Sequence, residues 1–165
     1  MAIEDLLEMM NKLQEAHVAL LDLTKDKTRI IVSNQVEQLN QIVNKENKLL
    51  RHIGELDQQR MRVVNEYLIS RGYTPNPRIS VSDLVKVIFK AEDKIALAEA
   101  QKSLLSLIDQ LKEHHALNQQ LIEQSLAFID YSLDLVMGAP EDDAIYRNPM
   151  QQRNTNRSGV FDTKA

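Results

Sequence analysis

The positions of glycine and proline set the limits on what this chain can fold into. Over 165 residues they occur only at Gly54, Gly72, Pro75, Pro77, Gly138, Pro140, Pro149 and Gly159. Two long blocks, residues 2–71 and 79–137, are left open to continuous helix, with only the lone Gly54 inside them. Both blocks carry apolar residues at three- and four-residue spacing, the pattern of long amphipathic helices packed side by side. The spacing predicts an all-α chain whose long antiparallel helices form a hairpin or bundle with coiled-coil-like packing. It reads as a surface for binding other helices.

The predicted helices cover about 3–31, 34–70, 83–90 and 92–137, forming a helical domain over residues 1–138. Glu4 and Asp5 sit in the first turn, where negative charge suits the helix dipole. The first stripe is Leu6, Met10, Leu13, His17 and Leu20. Asn34, with Glu37 three residues on, resembles a capping box opening the second helix. The second stripe is Val36, Leu39, Val43, Glu46, Leu50, Ile53, Asp57, Arg60, Val64 and Tyr67. Gly72, Pro75 and Pro77 then stop the helix. Ser80 or Ser82 can cap the short third helix. Gly138 and Pro140 end the fourth. Residues 139–165 are rich in Asn, Gln, Arg, Ser and Thr and are expected to form a disordered tail.

Composition removes several function classes. There is no Cys, so disulfides and Cys-based metal sites or nucleophiles are excluded. The first residues are acidic and lack a basic n-region, so no signal peptide is expected. No apolar run approaches the roughly 18 residues of a membrane span. A cytoplasmic protein without membrane insertion is the expectation. Net charge is −4, with about +3 after Asp143 and −7 over residues 1–143. An acidic body with few aromatics argues against nucleic acid. The four histidines, at 17, 52, 114 and 115, show no metal-ligand spacing. No cofactor, metal or enzymatic motif is expected.

Two features point toward partners. In the last helix Leu117, Leu121, Phe128, Tyr131 and Leu135 lie on one flank. Ile122, Leu126, Ile129, Leu133 and Val136 lie on another. Asn118, Ser125 and Ser132 form a seam between them. The two flanks span roughly 220°, against the ~100° that one neighbour needs. Either a bundle wraps this helix on both sides, or one flank packs inside and the other accepts a foreign helix. The polar run 112–120 makes a waist before the second apolar cluster. Glu46 and Arg60 interrupt the second stripe. Being about 21 Å apart along a helix, they read as structural charges, each paired to a neighbouring helix.

At these residues the chain resembles a known family. The run from Glu46 through Leu49, Leu50, Ile53 and Leu56 to Arg60 is similar to the E-x-x-LL-x-x-L-x-x-L-x-x-x-R signature of FlgN-type flagellar export chaperones. Asn118, Leu121, Ile122, Ser125, Leu126, Phe128 and Ile129 resemble that family's N-x-x-LI-x-x-SL-x-FI segment. Tyr146 and the Phe161-Asp162-Thr163-Lys164-Ala165 terminus resemble its tails, although Arg147 to Met150 stand where those tails often carry Gly. The resemblance implies a cytosolic chaperone that holds the terminal helices of hook-associated, or hook–filament junction, proteins and delivers them to the flagellar export gate. Client contacts would fall on Leu117, Leu121, Ile122, Leu126, Phe128, Ile129, Tyr131, Leu133 and Leu135. Gate docking would fall on Ile145 and Tyr146. The free protein is expected to be a monomer or weak homodimer. A self-associating coiled-coil adaptor, or a chaperone for flagellin or the filament cap, would use the same surfaces.

Overall fold

A computed structural model describes residues 2–138. The expected tail, with Ile145 and Tyr146, lies outside the described residues. Four helices follow in order: α1 (Ala2–Val32), α2 (Val36–Ser70), α3 (Val81–Val87) and α4 (Ala91–Met137). Among the described residues there is no strand. The chain divides into two compact units, Met1–Leu121 and Ile122–Ala165, so the boundary falls inside α4, just after the polar 112–120 segment.

The first unit is built on an antiparallel hairpin of α1 and α2. Ile3, Leu6 and Met10 of α1 join Val64, Tyr67 and Leu68 of α2, Leu84 of α3, Ile88 and Leu97 of α4 in one buried cluster. A second cluster continues along the hairpin through Leu13, Ala16 and Leu56. Further along α4, Asn118 is 2% exposed. Its Nδ2 donates to the Thr24 carbonyl of α1 at 3.0 Å, and its Oδ1 accepts from the Thr28 hydroxyl. Within this unit α4 therefore runs beside α1 in the same direction. A buried amide with both ends satisfied fixes the relative register of the two helices without the penalty of an orphaned polar group.

The stripes shift from their expected positions. In α1, Leu6, Met10 and Leu13 are buried, but His17 and Leu20 are half-buried, and Ala16, Leu21, Thr24 and Ile31 are buried instead. In α2, Val64 and Tyr67 are buried as expected, but Val36 and Leu50 are exposed, and Ile42, Leu56 and Leu68 are buried as well. The turn of 3.6 residues rotates the contact line, so the buried position passes between adjacent apolar residues along a long helix.

The helix ends are set by backbone chemistry. Asn34 does not cap α2; it closes α1. Its φ is +55°, its N–H donates to the Ile31 carbonyl at 3.2 Å, and Gln35 N–H donates to the Ile30 carbonyl at 3.3 Å. These two bonds form a Schellman motif with Asn in the left-handed position. The α2 N-cap is Gln35, which makes no side-chain capping bond. Gly72, at φ +81°, ends α2 in the same way, with its own N–H bonded to the Ile69 carbonyl and that of Tyr73 to the Leu68 carbonyl. Ser80 is the cap of α3: its hydroxyl oxygen accepts from the Asp83 N–H at 3.1 Å and the hydroxyl donates to the Asp83 carboxylate at 2.7 Å. The Ser80 bond, then Lys86, hold the Asp83 carboxyl below its usual pKa. Helix α3 stops at Val87 rather than near residue 90, because Ile88 takes an extended backbone and its side chain enters the core. The last turn of α4 contains Asp134 and no basic residue.

Candidate functional site

Burial along α4 stops at Asn118: no later described residue is buried. Within the second unit, most apolar residues of both flanks are exposed. Phe128 is 70% exposed, Tyr131 60% and Leu135 66% on one flank; Leu126 is 58% and Ile129 51% on the other. Leu133, Val136 and Met137 are exposed as well, and Ile122 is half-buried. Of the remaining expected contact residues, Leu117 is exposed and Leu121 half-buried, both within the first unit. Exposed apolar residues scattered singly need no explanation, but a continuous run on one helix marks an interaction surface.

The seam between the flanks splits by unit. Asn118 lies seven residues beyond Leu111 and fourteen beyond Leu104, which packs against both clusters of the first unit. That heptad spacing was the signal that could have placed Asn118 in the interior. In the second unit Ser125 and Ser132 are half-buried, and the Ser132 hydroxyl donates back to the Phe128 carbonyl at 2.8 Å. Small residues between two apolar flanks allow a partner's side chains to approach α4 closely.

The two charges of α2 differ from each other. Glu46 accepts from Lys27 Nζ of α1 at 3.1 Å, with the two side chains only 14% and 16% exposed. Arg60 does not reach a neighbouring helix: its Nε donates to Asp57, three residues back on α2, at 2.8 Å. An Arg at this spacing finds a carboxylate within its own helix before it needs another one. Replacing Lys27 with Met leaves Glu46 partly buried without its cation and is expected to cost about 1–3 kcal/mol of stability. Thermal melts of K27M beside K27M/E46Q check this, the double variant recovering part of the loss.

Among the described residues no group of three His, Asp or Glu could hold a metal ion, and no helix is long and apolar enough to cross a membrane. What the geometry provides is, in the first unit, a helical hairpin packed with α3 and the start of α4, and, in the second, about four helical turns with apolar surface on two sides.

The model of the family described as FlgN protein matches residues 1–154. The chain belongs to the FlgN family, and it is a flagellar export chaperone. It is similar to the uncharacterized protein YvyG of Bacillus subtilis (strain 168), 26% identical over 167 aligned positions that cover 100% of both chains. No solved structure matches it significantly.

Proposed function

We propose that this chaperone binds the terminal helices of the hook–filament junction proteins, keeps them from assembling early, and delivers them to the export gate. The observation that carries the reading is the double exposure of α4 beyond Asn118. An amphipathic helix removed from water by such a surface can no longer pair with its assembly partners. Burial of anchors such as Phe128, Tyr131 and Leu126 supplies affinity through the hydrophobic effect.

The test is titration of the full chain with the isolated terminal segments of the junction proteins, flagellin and the filament cap in separate experiments. Binding confined to the junction segments supports the reading. Tighter binding of flagellin or cap segments would move the chaperone to another client. Sedimentation over a concentration series covers the remaining alternative: stable self-association that junction segments do not reverse would make the chain an adaptor.

Delivery rests on the tail, where the resemblance to family tails supports Ile145 and Tyr146 as the gate-docking pair. A tyrosine offers a large contact area for little entropy loss. Tyr146→Ala is expected to leave client affinity intact while lowering affinity for the export gate and secretion of the client. Gate binding equal to wild type, measured with client present, would refute the docking role.

A further inference from the structure

The second apolar cluster of α4 has an unusual charge setting. Residues 113–146 contain seven carboxylates and no Lys or Arg. Three of these, Glu123, Asp130 and Asp134, belong to the exposed half of the helix. At about 100° per residue they fall within about 40° of one another, forming a single acidic line. The line lies on the side away from the Ser125–Ser132 seam and borders both flanks. Apolar side chains border it on both sides, Met137 and Leu126 on one and Ala127 and Tyr131 on the other, about 20–60° away. Among the described residues, none of the three has a cation within 4.0 Å.

Elsewhere several carboxylates find a cation on their own helix. Glu8 with Lys12, Asp26 with Arg29, Asp57 with Arg60 and Asp83 with Lys86 are all at helical spacing. Only the apolar half of α4 carries charge of one sign. A helix seated on either flank would bring its own polar border alongside this line, as the residues beside the apolar positions of a coiled coil do.

We infer that the partner of α4 is an amphipathic helix whose apolar stripe is edged with Lys or Arg, set against Glu123, Asp130 and Asp134. This deepens the proposed function and rests on it, since it assigns chemistry to the same site. The same charges disfavour a second copy of this chain as occupant. Two such helices would set carboxylates beside carboxylates with no cation between them, and like-charge juxtaposition selects against a partner. The acidic line thus gives specificity, and the flanks give affinity. Part of its effect falls on association rate, because complementary charge steers encounter.

The experiment titrates the junction-protein terminal segments into the full chain and into E123Q/D130N/D134N, at 50 and 500 mM NaCl. All three changes are at positions outside the core, and circular dichroism confirms that the helix content is kept. Wild-type affinity is expected to fall about tenfold or more as salt rises, because exposed ion pairs are screened. The triple variant is expected to bind about tenfold more weakly than wild type at low salt and equally at high salt. Changing the Lys and Arg residues of the segment to Gln is expected to weaken wild type but not the triple variant. Affinity that is independent of salt, or a triple variant as tight as wild type at 50 mM, would overturn the inference and leave the proposed function standing. Affinity that rises with salt, or in the triple variant, would also overturn the inference, because the acidic line would then repel the partner. No binding of any junction segment to wild type is a separate result, which defeats the proposed function and this inference together.

Discussion

Changing Phe128 and Ile129 together to alanine is expected to weaken binding of the junction segments at least thirtyfold, roughly 2 kcal/mol. The two residues are neighbours in sequence but lie on opposite flanks of α4, so the double change trims both surfaces at one level. Both side chains are already more than half exposed, so the folded protein loses little by their truncation. The thermal midpoint should move by less than about 2 °C. The separation of the two readouts is the test: affinity falls while stability holds. The single variants then rank the flanks, since the one in contact with client carries most of the loss. If client affinity is untouched in the double variant, the site is not on this half of α4.

The opposite behaviour is expected of Leu97→Ala. Leu97 is 0% exposed and is the one α4 residue fully buried in the cluster shared with Leu6, Tyr67 and Leu84. Truncation removes buried methyl groups and leaves a cavity bounded by four helices, at a cost of about 2–5 kcal/mol. For a chain of this size that corresponds to a midpoint lower by roughly 10 °C. A fall of under about 2 °C in a circular dichroism melt would show that the site collapses or that α4 is not packed there. Below the new midpoint the variant should still bind client, because the contacts beyond Asn118 are unchanged.

The sequence announced the helices and their stops more clearly than their faces. Gly72 and Gly138 lie just past the ends of α2 and α4, where a left-handed residue is needed and a side chain would be strained. Asn34 was harder to read, because a short polar side chain suits both an N-cap and a left-handed C-terminal position. Only the backbone bonds decide between them. The face of α2 is ambiguous where apolar residues are adjacent, as at Ile42-Val43 and Leu49-Leu50; periodicity alone does not say which of a pair points inward. Arg60 finds its partner in Asp57 on its own helix, a pairing that the stripe pattern conceals because both residues fall on the same line of α2. The width of the apolar arc on α4 was visible in the residues. Whether that arc is covered by the protein's own bundle depends on where the other helices end, and spacing within one helix carries no record of that. The same limit hid the burial of Asn118, whose two partners lie about ninety residues away in sequence.

The last turn of α4 places Asp134 at the negative end of the helix dipole, with no Lys or Arg to offset it. A carboxylate in that position weakens the turn by a few tenths of a kcal/mol. A cation of the proposed partner set against Asp134 would offset that contribution. Occupancy of the site and order in the last turn of α4 would then be linked, so that whatever firms the turn would also tighten the hold on cargo.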